Sequence, residues 1–205
     1  MPISTDNSLQ PIVFIHTQKT AGHSVRMALE DVGYEWKGGV NKHAPPRELN
    51  LANHFSFGFV RNPFNVCVSR FFYHQRPEKK NELDLLFKKF SADRNGFISW
   101  VHSLVNDDCW YDKKYNWKYT FKTQKNFLSN DDDSEILVDF VGRYEKLHDD
   151  FQFVCDKIGC ENKLKNFHVN ISKRKRNHRD YYDNSTKKIV ESIYKDDLEY
   201  FNYEF

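Results

Sequence analysis

The chain has 205 residues, of which 39% are hydrophobic and 16% aromatic, and its formal net charge is +2. This length suits one domain with a substantial core, and the apolar content excludes an intrinsically disordered chain. The nearly balanced charge excludes bulk attraction to nucleic acid as a basis for function, so an anion site has to come from local placement of Lys and Arg.

No apolar run approaches the roughly 20 residues of a membrane span, and the first ten residues are neither basic nor apolar. We therefore expect a cytoplasmic, soluble protein, or a chain from which a native membrane anchor has been removed. The four cysteines contain no CxxC pair. This favours buried free thiols in a reducing compartment over a zinc or disulfide framework.

The hydrophobic pattern predicts strands and helices in alternation along the first third of the chain. Residues 12–16 form a first strand, and the helix after it carries an apolar stripe from Val25 to Val32. A loop rich in Gly and Pro over residues 34–49 leads to a second strand at 55–61. Its nearly continuous apolar character is typical of a buried parallel strand.

Helices dominate the middle of the predicted fold. Asn62 is a good N-cap and Pro63 fits the first helical position, so a helix is expected to begin directly after the second strand. Apolar stripes predict two further helices over residues 83–90 and 97–105. Residues 106–134 are polar and aromatic and are predicted to be a long loop.

The last part of the chain returns to strand and helix. Residues 135–145 form a third predicted strand, followed by a helix to about Gly159. A final helix from about Thr186 carries apolar residues on one side as far as Phe201. Together these elements predict an α/β fold, a three-layer P-loop-like domain with a central, mostly parallel sheet flanked by helices.

The junction between the first strand and its helix, "FIHTQKTAGHSV", has the outline of a phosphate-binding loop. Ligands of α/β sheets collect at such junctions, because backbone N–H groups and the helix dipole point there. Ala21 and Gly22 let the backbone approach a ligand closely. The side chains able to donate to phosphate oxygens are those of Lys19, Thr20, His23 and Ser24. The alternative is an ordinary turn with a surface lysine.

The pattern GxxxxGK[ST] of nucleoside-triphosphate loops is not satisfied, because Thr17 and Gln18 stand where glycine would precede Lys19. No clear acidic ligand for Mg²⁺ ends a strand. A P-loop kinase or NTPase therefore remains only an alternative, and so does a non-catalytic nucleotide-binding module.

A second constellation lies in "FGFVRNPFNVCVS". Arg61 ends the second strand and offers a planar fork to a phosphate, and Ser69 offers a hydroxyl from the following helix. The pair would hold a phosphate separate from the one at Lys19. For Arg61 alone, an ion pair at the sheet edge is the plainer interpretation.

These two stretches resemble the two donor motifs of the carbohydrate sulfotransferases related to heparan-sulfate 2-O-sulfotransferase. "FIHTQKTAGHSV" is similar to the 5′-phosphosulfate loop, close to "hxxxPKTGGTS", and "FGFVRNPFNVCVS" to the 3′-phosphate motif "FxFVRNPxxRxxS". The resemblance continues in residues 139–151 and in the closing segment from Tyr181. Gln18, Ala21 and His23 depart from the usual loop.

The resemblance implies the donor 3′-phosphoadenosine 5′-phosphosulfate (PAPS), with the product 3′-phosphoadenosine 5′-phosphate (PAP) and no metal. The loop from Lys19 to Ser24 would hold the 5′-phosphosulfate, and Arg61 and Ser69 the 3′-phosphate. Lys19 would stabilise the leaving phosphate oxygen. His43 lies between the two motifs, as the catalytic histidine does in that family, and would serve as general base. His16 and His23, which are close to the loop, are the alternatives for this role.

The resemblance also assigns the remaining parts of the chain. Lys173 and Arg174, in a basic stretch, match a donor-contacting loop, although a role in guiding an anionic acceptor or a solvated loop is equally compatible with the sequence. We expect one sulfotransferase domain over residues 1–205, with residues 76–134 as a helical and loop insertion that shapes the acceptor site. The implied acceptor bears a hydroxyl group and is a glycan.

Overall fold

The computed structural model describes residues 2–4, 10–36, 43–106, 123–167 and 177–205. Its strands are β1 Pro2–Ser4, β2 Ile12–Ile15, β3 Tyr34–Trp36, β4 Phe55–Val60 and β5 Phe140–Arg143. Its α-helices are α1 Gly22–Asp31, α2 Pro63–His74, α3 Glu82–Phe87, α4 Arg94–Asn106, α5 Gln124–Leu128, α6 Leu147–Ile158, α7 Asn184–Ile193 and α8 Lys195–Tyr200. Short 3₁₀-helices lie at Pro46–Glu48, Tyr144–Lys146, Leu164–Asn166 and His178–Tyr181.

The chain divides into two compact units. The first consists of Met1–Arg61 and Gln124–Ile171, and the second of Asn62–Thr123 and Ser172–Phe205. The strands of the described chain all belong to the first unit, together with α1, α5 and α6. The second unit contains α2, α3, α4, α7 and α8.

The sheet of the first unit is parallel, with the order β2–β4–β5. Ile12 is paired with Phe55, and Phe57 is paired with Phe140. All of β2 and nearly all of β4 are buried, which explains why both read as continuous apolar runs. β1 and β3 form a separate antiparallel pair.

Helices lie against both faces of this sheet. Phe57 and Phe59 belong to a buried cluster with residues of α1 and α6. Gly58 points to the opposite face, because side chains alternate along a strand, and a Cβ placed there would lie 3.2 Å from Cδ2 of Leu128 in α5. The predicted α/β fold, with a parallel sheet flanked by helices, is confirmed.

One glycine of the sheet is required by a neighbouring ring. A Cβ at Gly142 of β5 would lie 2.4 Å from Cε1 of Phe59 on the adjacent strand, and 3.2 Å from Cβ of Asp150. The ring of Phe59 is completely buried. The edge of this ring therefore occupies the space that a side chain at residue 142 would need.

The second unit has its own core of aromatic rings. The ring centroids of Phe71 and Trp100 are 5.5 Å apart, and those of Phe87 and Trp100 are 5.2 Å apart. Asn62 caps α2 by accepting a hydrogen bond from the amide of Phe64 at 3.0 Å, and Pro63 is the first helical residue. The predicted start of α2 is thus confirmed.

The third strand is shorter than predicted. Residues 135–145 were expected to be extended, but β5 covers only Phe140–Arg143, and Tyr144 begins a 3₁₀-helix. Before β5, Oδ2 of Asp139 accepts hydrogen bonds from the amide and the hydroxyl of Ser56, at 2.8 and 2.7 Å. This side chain takes the place of a main-chain partner, so the regular ladder begins only at Phe140.

Two predicted loops contain regular elements, and one predicted helix is divided. The loop expected over residues 106–134 contains α5, although residues 107–122 lie outside the described part. The loop expected at 34–49 contains β3 and a 3₁₀-turn. The final helix is divided at Tyr194, whose backbone leaves the helical region at φ −109° and ψ 25° while its buried hydroxyl accepts a hydrogen bond from Arg70 at 2.9 Å.

The described cysteines carry free thiols, as the sequence predicts. Cys67 and Cys155 are buried and Cys160 is half-buried, whereas Cys109 lies outside the described residues. Burial raises the pKa of the Cys67 thiol to about 11. At neutral pH this cysteine is therefore a protonated, apolar core residue.

Candidate functional site

The carboxyl ends of the three parallel strands meet at one edge of the first unit's sheet. β2 is followed by the loop from His16 to Ala21, the central strand β4 by Arg61, and β5 by Tyr144. In α/β sheets this edge is where ligands bind. The topology therefore brings the loop after β2, Arg61 and Tyr144 to a common edge of the first unit.

The loop after β2 has an unusual backbone. Lys19 and Ala21 both lie in the left-handed region, with φ of 66° and 63°, which costs a residue with a side chain about 1–2 kcal/mol. Ala21 is the N-cap of α1, and its side chain makes no capping hydrogen bond. Left-handed residues that alternate with others turn successive N–H groups toward one side, which is the geometry of an anion-binding concavity.

Two hydroxyl groups are buried in this loop. Oγ1 of Thr20, a fully buried residue, donates to the carbonyl of Thr17 at 2.9 Å. The buried Oγ1 of Thr17 has no hydrogen-bond partner among the described residues. Because a hydroxyl group buried without a partner costs about 1–3 kcal/mol, this polar atom fits a loop that receives a ligand with oxygen atoms.

Arg61 is held in place from several directions. The side-chain amide of Gln124 bonds both main-chain groups of Arg61: Oε1 accepts from its N–H at 2.8 Å, and Nε2 donates to its carbonyl at 2.8 Å. The guanidinium lies 3.8 Å above the ring centroid of Tyr144. Its Nη1 donates to the carbonyl of Lys19 at 2.9 Å. The residue is 7% exposed.

His43 is oriented by a main-chain carbonyl. Its Nδ1 lies 2.8 Å from the carbonyl oxygen of His16. Because a carbonyl can only accept, Nδ1 carries the hydrogen, and Nε2 holds the lone pair when the ring is neutral. The rings of His43 and His16 are 4.6 Å apart. A proton acceptor is thereby fixed beside the loop that follows β2.

The ring of His16 in turn requires a glycine. A Cβ at Gly22 would lie 2.0 Å from Cδ2 of His16. This glycine is therefore explained by close packing of the imidazole on the start of α1. Its backbone dihedral angles are not the reason, since Gly22 is an ordinary helical residue.

The other predicted site residues vary in exposure and position. His23 is exposed, and Lys19 and Ala21 are half-buried. The buried members of the loop are Thr20, Gly22 and Ser24. Ser69 lies half-buried in α2, which belongs to the second compact unit. Lys173 and Arg174 lie outside the described residues.

Sequence reasoning did not predict the contacts of Gln124 and Tyr144 with Arg61. Gln124 stands in a segment that was predicted to be a loop, and its partner Arg61 is 63 residues away along the chain. No local pattern indicates such a contact. For Tyr144 a signal existed, because Arg61 and Tyr144 both follow parallel strands that are adjacent in the sheet.

The described residues contain neither a cluster of metal ligands nor a membrane-spanning helix. No group of three or more His, Cys, Asp or Glu side chains in these segments is arranged to hold a metal ion. Within the same segments, no helix is both long and apolar enough to cross a bilayer.

Comparison with known proteins gives the family. The family model described as "Sulfotransferase family" matches residues 7–204, nearly the whole chain. An uncharacterized protein of Archaeoglobus fulgidus is 30% identical over 108 residues, which are 53% of this chain and 70% of that protein. No solved structure gives a significant match. With a match across both compact units, and with the loop of Lys19 bonded to Arg61, the chain belongs to the sulfotransferase family.

Proposed function

We propose that this protein transfers a sulfuryl group from PAPS to a hydroxyl group of an acceptor, with a carbohydrate as the acceptor class. The observation that carries the proposal is the hydrogen bond of 2.9 Å between Nη1 of Arg61 and the carbonyl of Lys19. It joins the two motifs that resemble the binding sites for the two anionic ends of this donor. A nucleoside triphosphate has no 3′-phosphate and would not need both.

The donor would be held at both of its anionic ends. The loop from Lys19 to Ser24 would bind the 5′-phosphosulfate through its amides and side chains at the N-terminus of α1. Arg61 and Ser69 would bind the 3′-phosphate, and Lys173 and Arg174 would add positive charge near the nucleotide. The left-handed backbone at Lys19 and Ala21 and the buried hydroxyl of Thr17 support an anion with several oxygen atoms in this loop.

The catalytic roles are assigned to His43 and Lys19. Nε2 of His43 would accept the proton of the acceptor hydroxyl as its oxygen forms a bond to sulfur. The bond between sulfur and the bridging phosphate oxygen breaks at the same time, and its electron pair remains on PAP. The Lys19 ammonium would stabilise the negative charge that develops there. The fixed tautomer of His43 supports this assignment.

Acceptor choice is assigned to residues 76–134 within one sulfotransferase domain. This segment contains α3 and α4, which lie between the two parts of the chain that carry the donor motifs and β5. Leu85 and Val105, two of its apolar side chains, are 56% and 54% exposed. A screen of glycans and other hydroxyl compounds with a labelled sulfate donor would identify the acceptor.

A thermal-shift comparison tests the donor. We expect PAP at 100 times its dissociation constant to stabilise the native protein by about 2.7 kcal/mol. ATP with Mg²⁺ should give a smaller shift at equal concentration, because it cannot occupy the 3′-phosphate position. Stabilisation by ATP·Mg²⁺ without stabilisation by PAP would rule out the proposed donor.

Replacement of His43 by Ala tests the general base. We expect sulfuryl transfer to fall by a factor of about 10²–10⁴, whereas PAP affinity stays close to that of the wild type. His54→Ala is the matched control, since Nδ1 of His54 also bonds a main-chain carbonyl, that of Ala52 at 2.6 Å. Loss of PAP binding in the His43 variant would show that this residue belongs to the donor site instead.

A further inference from the structure

The guanidinium of Arg61 makes a contact that a phosphate ligand alone would not need. Nη1 donates to the carbonyl of Lys19, a residue held with φ of 66°. A non-glycine residue keeps such a backbone conformation only where its surroundings impose it. The hydrogen bond from Arg61 is one such constraint, because it fixes the direction of the carbonyl at the left-handed residue.

Arg61 is itself held by residues outside the loop of Lys19. Its main-chain N–H and carbonyl are both bonded by Gln124, and its guanidinium lies against the ring of Tyr144. Only 7% of the residue is exposed. With both main-chain groups bonded by Gln124 and the guanidinium stacked on Tyr144, Arg61 acts as a support for the loop that carries Lys19.

We infer that Arg61 is a positioning residue for the loop of Lys19, so that one guanidinium serves both anionic ends of the nucleotide: it binds one end and shapes the loop that binds the other. This inference rests on the proposed function, in which Arg61 also binds the 3′-phosphate. Its hydrogen bond to the carbonyl of Lys19 holds that residue in its left-handed conformation before any ligand binds. The 5′ end would then be bound more tightly by a loop that is already formed.

The first test measures the loop without any ligand. Hydrogen–deuterium exchange of the peptides covering residues 12–25 is compared in wild type, Arg61→Ala and Arg26→Ala. Arg26→Ala is the matched control, because it also removes one positive charge. Arg26 lies in α1, where it pairs with Glu30 at 2.8 Å. We expect the amides of residues 17–22 to exchange faster in Arg61→Ala, and no faster than wild type in Arg26→Ala.

Equal protection of this loop in wild type and Arg61→Ala would overturn the inference. Should Arg61→Ala fail to fold, Arg61→Lys takes its place, since it keeps the charge but loses the planar fork and its stacking on Tyr144. We then expect faster exchange of residues 17–22 in the lysine variant, and unchanged protection there would equally overturn the inference. Thermal melts of each variant establish that it is folded.

The second test uses a ligand without a 3′-phosphate. Calorimetric affinities for PAP and for adenosine 5′-phosphate are compared in wild type, Arg61→Ala and Ser69→Ala. A positioning role predicts that Arg61→Ala weakens the binding of adenosine 5′-phosphate by at least about fivefold, whereas Ser69→Ala weakens the binding of PAP alone. An affinity for adenosine 5′-phosphate that Arg61→Ala leaves unchanged would overturn the inference.

The outcomes separate the inference from the proposed function. If the wild type binds neither PAP nor adenosine 5′-phosphate, the proposed donor is wrong, but the exchange experiment still decides whether Arg61 supports the loop. If PAP binds and the loop is equally protected in both proteins, the donor stands and the positioning role of Arg61 is wrong.

Discussion

Gly22 and His16 show how a single missing side chain shapes the proposed donor loop. The imidazole of His16 packs where a Cβ at residue 22 would lie, only 2.0 Å from Cδ2 of the ring. The same imidazole lies beside the ring of His43, with centroids 4.6 Å apart. A side chain at residue 22 would therefore displace the histidine that packs against the proposed general base.

We expect Gly22→Ala to destabilise the protein by about 1–3 kcal/mol, the usual cost of overpacking, and to reduce sulfuryl transfer. In the background of His16→Ala the clash is absent. The same substitution should then stabilise the protein by about 0.4–1 kcal/mol, because alanine leaves the unfolded chain fewer conformations than glycine does. Urea unfolding of the four proteins measures this difference in sign.

A cost that is the same with and without His16 would contradict the proposed contact. His54→Ala provides a background in which a different imidazole has been removed. We expect Gly22→Ala to remain destabilising there, since His54 bonds its own segment at Ala52.

At this scale the sequence could predict which residues stand at the strand ends, but not how each is held. Lys19 and Arg61 follow apolar strands, so their positions at the sheet edge were predictable. The left-handed backbone at Ala21 was not, because the family pattern has glycine there and alanine hides the requirement. Gln124 was not predictable either, since its contact with Arg61 depends on tertiary structure alone.

The starts of helices are the boundaries that the local sequence specifies best in this chain. Asn62 caps α2, and Asn81 forms a capping box with Asp84 at the start of α3. Asp183 does the same for α7, where Oδ1 accepts from the amide of Thr186 at 2.8 Å. Each cap satisfies amide groups that have no partner inside the helix.

The cap at Asp183 gives a prediction for the dependence of stability on pH. Hydrogen bonds from the Thr186 amide and from the hydroxyls of Thr186 and Ser185 lower the pKa of Asp183 to about 2. The pKa in the unfolded chain is about 3.9. The stabilisation is therefore present above pH 4 and is lost as the pH falls from about 4 to 2.

We expect Asp183→Ala to lower the free energy of unfolding by about 1 kcal/mol at pH 7, the usual contribution of an N-cap. Asp183→Asn keeps an oxygen acceptor and should cost less. Because asparagine does not titrate, the difference between wild type and this variant should shrink as the pH falls below 4. Thermal melts followed by circular dichroism measure it, and a difference independent of pH would contradict the proposed ion–amide contact.

Boundaries that depend on distant contacts were harder to predict than the capped helix starts, as two places show. β5 begins late because Asp139 bonds Ser56, a residue 83 positions away. The last helix is divided at Tyr194, whose hydroxyl bonds Arg70, 124 positions away. The apolar pattern extends through both boundaries, and contacts between residues distant in sequence determine where each boundary lies.

At the scale of the whole molecule, the parallel sheet was predictable and the division into two cores was not. Continuous apolar strands alternating with amphipathic helices indicate a sheet covered on both faces. An apolar stripe shows that a helix buries one side, but it does not identify the partner. The stripes of α1 and α4 read alike, yet Leu29 belongs to the core of the first unit and Leu104 to that of the second.

The contact between Gly142 and Phe59 has a consequence for how such sheets diverge. The ring of one strand fills the volume that the neighbouring strand leaves empty, so the two positions share a fixed amount of space. A relative with a larger residue at the counterpart of Gly142 can keep the same strand spacing only with a smaller one at the counterpart of Phe59. The sizes of the residues at these two positions should therefore covary inversely. An alignment of the family would show this covariation without knowledge of any substrate.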